Sequence, residues 1–577
     1  MDQQLREKVK GWIAEDPDPA TRGQLEALLA QGAHEELAER FSGQLEFGTA
    51  GLRGVLGAGP MGMNRAVVRR ATAGLGAYLE AMVENAATRG VVVGHDARRM
   101  SREFAEEAAS TLAGAGILVH LYETMVPTPL VPYAVSQLGA AAGIMVTASH
   151  NPPEYNGYKV YWENGAQILQ PHDKGISAEI DKVGPLLTLP MPPLDEAREA
   201  GLVRSLGAEM EARYLGEIRK LLLHPEVSRE VEIVYTPLHG VGGRFTRAAL
   251  SQAGFTRVTN VEAQFEPDGR FPTVRFPNPE EKGALDLALS LAAERDADLV
   301  IANDPDSDRL AIAARDPPGH HVQLSGDQVG ALLAYYLLTE KPGGAERAVV
   351  TTIVSSSLLS RMAAALGVRY AETLTGFKWI ANRALQLEAE GAELVMGYEE
   401  ALGYTLGKSV RDKDGISAAT VFAELAAFCK SKGQSVLQYL EEIYRRFGLF
   451  QSGQRSVVLP GTSGAAQIKA TMERLRASPP QAIGQAPVVA VRDLLTGVRK
   501  TASGETKIDL PSSDVLVFEL ADARITCRPS GTEPKIKYYF ELREQIAEGE
   551  PFADARARAE ARMKGLIADF LEAIRAP

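Results

Sequence analysis

"GVVVGHDARRMSREFAEEAASTLAGAGILVHLYE", Gly90 to Glu123, decides the fold class. An apolar run gives way to a helix-like stretch from Ser101 and then to a second apolar run, which reads as strand, helix, strand. "AAGIMVTAS", Ala141 to Ser149, adds another strand. The rhythm returns at "EVEIVYTPLHGVGG", with helices expected in "RFTRAALSQAG" and "EEKGALDLALSLAAERDA" and strands in "RVTNVEA" and "DLVIAN". It returns again from "RAVVTTIVSSS" through "LLSRMAAALG", "VRYAETLTG" and "WIANRALQLEAEGA" to "ELVMGYE". Three α/β units of similar size follow. Helices between strands imply mostly parallel sheets, whose ligands gather beyond the carboxyl ends of the strands.

Working outward, one helix is expected over about Gly23 to Phe41 as an N-terminal extension, and a long one from about Asn64 to Ala87. From about Phe450 the strands "SVVLP", "VVAVRDL", "DVLVFEL" and "IKYYFEL" and the closing helix "ADARARAEARMKGLIADFLEAI" read as a smaller α+β unit. The expected division is 1–205, 206–318, 319–447 and 448–577. At about 150 residues per domain, 577 residues agree with four.

Composition narrows the function. Apolar residues make up 45% and charged residues 24%, the mixture of a globular protein. A net charge of -12 argues against a nucleic-acid surface. The polar start "MDQQLREKVKGW" and the lack of an apolar run of roughly 20 residues argue against a leader or a membrane span, so a cytoplasmic location is expected. Cys429 and Cys527 are the two cysteines, too few for a thiolate cluster, so any metal must use oxygen or histidine ligands.

Four loops carry chemistry. "TASHNPPEYNG" puts Ser149 at the end of an apolar strand, in a corner stiffened by Pro152 and Pro153. A capped strand-to-helix turn would explain the same residues. A hydrolase triad would not, because His150 adjoins Ser149 and neighbours in extended chain point apart. "NDPDSDRL" places Asp304, Asp306 and Asp308 at alternate positions, where their carboxylates can converge on one hard cation such as Mg²⁺; a solvated acidic turn is the plainer reading. In "MGYEEALGY", Glu399 and Glu400 suit paired sugar hydroxyls or simply start a helix. "CRPSGTEPKIKYY" offers Arg528, Ser530, Thr532 and the backbone near Gly531 as an anion nest with Lys535 beside it, or an ordinary hairpin turn. "EFGTAGLRG" adds Thr49 and Arg53 in a tight loop, and "TLTGFKW" sets Lys378 beside Trp379.

Together "FGTAGLRG", "TASHNPPEYNGYKV", "DPDSDRLA", "GYEEALGY" and "RPSGTEPKIKYY" resemble, in order, the α-D-phosphohexomutases, the phosphoglucomutase and phosphomannomutase family. The resemblance implies three similar mixed-sheet α/β domains and a C-terminal α+β domain around a central cleft. It also implies a reversible sugar phosphomutase, with glucose 1-phosphate and glucose 6-phosphate as the first expectation and mannose or pentose phosphates as alternatives. By resemblance Ser149 is the phosphoserine. Asp304, Asp306 and Asp308 hold Mg²⁺ with its oxygen, and Arg53, His150 and Lys159 stand near the transferring group. Thr49, Arg309, Lys378 and Glu399 meet the substrate, and Arg528, Ser530, Gly531 and Thr532 clamp its other phosphate. Glucose 1,6-bisphosphate or a related bisphosphate would be the intermediate, and the enzyme a monomer or dimer. Where many relatives have serine and some histidine after the sugar-loop glutamate, this chain has Ala401 and Gly403. "DLVIANDPDS" also imitates the aspartate nucleophile of haloacid dehalogenase-like enzymes, though Ser307 breaks that pattern, and a sugar-phosphate sensor on the same scaffold is the non-enzyme alternative.

Overall fold

The computed structural model describes residues 2–48, 51–316, 319–341, 343–459, 462–530 and 535–574. Three sheets follow one plan. The first has parallel strands Ala142–Val146, Val91–His95, Val119–Tyr122 and Val203–Leu206, with Tyr155–Trp162 and Leu52–Val55 added antiparallel. Val91, Val92 and Val93 are all buried, as a parallel strand covered on both faces requires. The second sheet joins Val258–Asn260, Ile233–Thr236 and Leu299–Ala302 in parallel, then Ala311–Arg315 and His321–Gln323 antiparallel. The third joins Arg369–Thr373, Arg347–Thr352 and Glu393–Glu399 in parallel, then Gly403–Leu406 antiparallel.

In each sheet a parallel strand therefore turns straight back into an antiparallel one, and the chemistry-bearing loop is that turn. The serine corner joins two strands, not a strand and a helix. Each turn contains one non-glycine residue in the left-handed region: Ser149 (φ 52), Ser307 (φ 59) and Leu402 (φ 62). Such a conformation costs about 1 kcal/mol or more per residue and persists only where surrounding contacts hold it.

Two helices differ from expectation for one reason. Gly32 at φ 67 ends Pro19–Gln31, so the expected Gly23 to Phe41 helix is two, the second being His34–Arg40. Gly283 at φ 88 delays the helix expected from Glu280, which starts at Asp286. A further helix, Gln3–Glu15, precedes them, and Val9, Leu25 and Leu37 pack together with Ala58. The strand Val203–Leu206 spans the division expected at 205 and completes the first sheet.

The fourth sheet is antiparallel throughout, with Leu449–Val458 paired along its length with Lys535–Glu544. It is tied to the third: Arg492 pairs with Glu372 at 2.6 Å, Arg524 with the same Glu372 at 3.5 Å, and the Ser357 hydroxyl donates to Glu541 at 2.6 Å. Among the described residues no helix is long and apolar enough to cross a membrane.

Candidate active site

The serine loop is held from behind. The Ser149 N–H donates to the Thr147 hydroxyl at 2.9 Å, and that hydroxyl donates to Asp96 at 2.6 Å. Pro152 and Pro153 lack N–H groups, so this corner cannot satisfy its carbonyls by itself. Arg98 does it: its guanidinium donates to the carbonyls of Ser149 (2.6 Å), Pro152 (2.8 Å) and Tyr155 (3.1 Å), and to that of Asn151. Asp96 in turn accepts from the Ser101 hydroxyl at 2.6 Å and the Arg98 N–H at 2.9 Å. Arg98 and Asp96 are buried, and sequence reading missed both. Their signal was "HDARR" at the carboxyl end of a buried strand.

His150 corrects an expectation. Because Ser149 is left-handed and not extended, the neighbouring side chains meet, with His150 Nδ1 3.2 Å from Ser149 Oγ. Burial, and then the nearby Arg309 and Arg53, hold this imidazole well below its ordinary range, so it is neutral.

Asp304, Asp306 and Asp308 are buried, and one oxygen from each lies within 4.8 Å of the others. The Ser149 hydroxyl donates to Asp304 Oδ2 at 2.9 Å. Lys159 Nζ donates to Asp306 at 2.8 Å and Asp308 at 3.1 Å, and Thr128 donates to Asp306 at 2.7 Å. Burial and the other two aspartates push Asp304 up; against its own desolvation, Lys159 holds Asp306 low. Asp306 Oδ1 and Asp308 Oδ1 are buried without a hydrogen-bond partner. Oxygen-only donors, two of them orphaned beside the serine hydroxyl, fit a hard divalent cation.

These loops open on a cavity of about 400 Å³ whose lining includes Arg53, Lys159, Arg309, Lys378, Glu399 and Arg528. Arg53 donates to the Asn151 side chain at 3.1 Å, tying its loop to the serine corner. Lys378 sits 5.7 Å from the Trp379 ring centre. The Ser530 N–H donates to the Lys535 carbonyl at 2.8 Å, while Thr49, Gly531 and Thr532 lie outside the described residues.

Lys413, from "RDKDG", is a further missed residue. Its Nζ lies 3.2 Å from Asp308, and despite burial Asp308, Asp412 and Glu399 hold it charged. Gly403 makes room for it: a Cβ there would stand 2.4 Å from Lys413 Cδ and 3.0 Å from Glu399 Cγ. The position where some relatives carry histidine is thus filled by a lysine from another segment.

Three family models match the chain: phosphoglucomutase/phosphomannomutase alpha/beta/alpha domain I over residues 44–185, domain II over 212–319 and domain III over 325–447. A phosphopentomutase of Homo sapiens is 39% identical over 94% of this chain and 92% of its own length. A phosphoribomutase of Saccharomyces cerevisiae is 38% identical over 93% and 92%. A glucose 1,6-bisphosphate synthase of Mus musculus is 36% identical over 94% and 90%. The open-form crystal structure of pp63/parafusin, a phosphoglucomutase from Paramecium, superposes with a TM-score of 0.67 over 92% of this chain and 96% of its own, at 19% identity, a likeness of fold.

Proposed function

The chain belongs to the phosphoglucomutase/phosphomannomutase family and is an enzyme of the phosphosugar mutase type, and from that premise we propose that it interconverts pentose 1- and 5-phosphates through a phosphoserine at Ser149. The observation that carries the mechanism is the Ser149 hydroxyl, held in a strained corner 2.9 Å from a buried aspartate of the three-carboxylate cluster.

In this reading Asp304, Asp306 and Asp308 would hold Mg²⁺ beside Ser149. The ion supplies charge neutralisation at the transferring phosphoryl group, since phosphoryl transfer depends on positioning and electrostatics. The remaining steps use this chain's own residues. Arg53, Lys159 and Lys413 bring further positive charge to the donor. Arg528 and Ser530 bind the phosphate that does not react, Arg309 and Lys378 line its approach, and Glu399 accepts hydrogen bonds from sugar hydroxyls. The P–O bond to Ser149 breaks as one forms to the sugar's free hydroxyl, and the proton that hydroxyl loses ends on the departing serine oxygen, with neutral His150, 3.2 Å from Ser149 Oγ, placed to relay it. After the bisphosphate turns over, its other phosphate returns to Ser149 by the same route reversed. The serine ester divides one exchange between two sugar oxygens into two transfers.

Pentose phosphates are favoured because the relatives named phosphopentomutase and phosphoribomutase are 39% and 38% identical, against 36% for the glucose 1,6-bisphosphate synthase, at similar coverage. Glucose 1-phosphate and 6-phosphate form the second reading, supported by the similarity to a glucose 1,6-bisphosphate synthase. Initial rates on ribose, deoxyribose, glucose and mannose 1-phosphates with Mg²⁺ decide between them. A kcat/KM for ribose or deoxyribose above that for glucose supports the first reading, and the reverse order overturns it.

A further inference from the structure

"RAVVTTIVSSS" ends in three serines that the reaction above does not use, Ser355, Ser356 and Ser357. They lie just past the carboxyl end of the strand Arg347–Thr352, and each meets a different partner. The Ser355 hydroxyl donates to the Glu400 carboxylate at 3.0 Å and accepts the Glu400 N–H at 3.1 Å, so it grips the sugar loop twice. The Ser356 N–H donates to Asp327 at 2.6 Å. The Ser357 N–H and hydroxyl both donate to Glu541, at 2.7 and 2.6 Å. Ser357 precedes the helix Leu358–Leu366, whose first turn has no acid of its own, so Glu541 of the fourth sheet supplies the negative charge a helix start favours.

The partners in the fourth sheet form one row. Ser452 stands directly opposite Glu541, and Glu541 directly opposite Arg524 on the strand Ala523–Pro529. Residues opposite one another on neighbouring strands share a face. Ser452 donates to Asp327 at 2.6 Å, Glu541 receives Ser357, and Arg524 donates to the Ser355 carbonyl while lying 3.0 Å from Glu541. All three members of the row thus end on the serine loop or on the aspartate that holds it. Asp327 and Glu541 are buried, so their charge depends on these donors and not on water.

The row is also in register with the phosphate seat. Arg528 lies four residues beyond Arg524 on the same strand, and the even spacing keeps both on one face, roughly 13 Å apart. Arg528 and Glu399 both line the catalytic cavity. Ser355 therefore touches the supports of both: its carbonyl meets the strand that carries Arg528, and its hydroxyl meets the neighbour of Glu399.

We propose that Ser355 is a positioning residue that fixes the distance between the phosphate seat at Arg528 and the sugar loop at Glu399, by holding Glu400 while the row Ser452, Glu541 and Arg524 docks on its loop. It touches no substrate. Its role rests on the mutase reading, in which a phosphosugar must be gripped at both ends, but the link itself is testable without turnover.

Two measurements on the full-length protein test it. The first is kcat/KM on ribose 1-phosphate and glucose 1-phosphate for Ser355→Ala, Arg528→Gln and the two combined. Ser355→Ala should lower kcat/KM about tenfold alone and about twofold or less in the Arg528→Gln background, because it acts through that grip. Equal losses in both backgrounds overturn the proposal, since a merely structural serine would cost the same in each. Where Ser355→Ala does not fold, Ser452→Ala should show the same dependence on Arg528, and equal losses there overturn it likewise. The second measurement uses inorganic phosphate as a probe of the seat and follows hydrogen exchange by mass spectrometry. Phosphate should slow exchange in residues 399–406 of the wild type and not in Ser355→Ala, Ser452→Ala or Arg528→Gln. No slowing in the wild type, or slowing that survives both serine substitutions, overturns the proposal. If the wild type interconverts no sugar phosphates while the slowing appears and is lost as expected, the mutase reading fails and the link stands.

Discussion

The serine loop and the aspartate loop are built alike and stabilised in opposite ways. Each joins a parallel strand to an antiparallel return and carries a left-handed serine, Ser149 or Ser307. The first presents carbonyls that a buried guanidinium satisfies from behind, through four hydrogen bonds from Arg98. The second presents carboxylates that need positive charge in front, where Lys159 and Lys413 supply part of it and two oxygens stay unpartnered. The carbonyls of one loop are satisfied within the protein; the carboxylates of the other leave two oxygens that a cation would complete. Shape is thus assigned to the donor's mount and charge to the transfer itself.

The comparison can be broken from its strongest side first. Ser149→Ala removes the group both loops are arranged around, and kcat should fall about 10⁴-fold or more. Chelation of divalent metal should reduce activity about 10³-fold and leave it restorable by Mg²⁺, because the aspartate loop depends on charge; full activity in the chelated enzyme would contradict that division. Arg98→Met should act through shape alone. A drop of about 10²-fold in kcat is expected with KM little changed, and added Mg²⁺ should not recover it. Arg98→Lys, with fewer donors, should recover only part.

These residues show what the sequence could and could not disclose. Ser149, Asp304, Asp306 and Asp308 were legible because each loop holds its own chemistry within a few consecutive residues. The strand, helix, strand rhythm was legible for the same local reason. Arg98 and Lys413 were not, since each acts on a loop distant in the chain and its purpose appears only when strands stack side by side. The antiparallel return after each loop was hidden as well: "YNGYKVYW" is half polar yet buried almost throughout, because it is paired on both edges, with Ala142–Val146 and Leu52–Val55. Glycine punctuation hid the rest, with Gly32 ending one helix and Gly283 delaying another where composition alone would continue them.

Smaller effects sharpen the same contrast. Gly403→Ala should cost about tenfold in kcat by displacing Lys413 from Asp308, an overpacking effect confined to the aspartate side. Unchanged activity would show that Lys413 is not needed where it stands. The least effect concerns Glu400, whose carboxyl is pushed up to about 7 by burial and by Glu399. A folded-state value above the unfolded one favours folding while the group is protonated, and that contribution is lost as pH rises from the ordinary carboxylate range toward 7. Melting of the wild type should therefore fall by about one degree more than that of Glu400→Gln between pH 5 and 7.5. Parallel melting curves would contradict it.

The most direct measurement follows the phosphate itself. Protein incubated with Mg²⁺ and radiolabelled glucose 1,6-bisphosphate, then digested and mapped, should carry label on the Ser149 peptide. That label should survive both acid and hydroxylamine, and discharge as bisphosphate when a sugar monophosphate is added. Label on the Asp304 peptide that hydroxylamine removes, with none on Ser149, would contradict the phosphoserine relay.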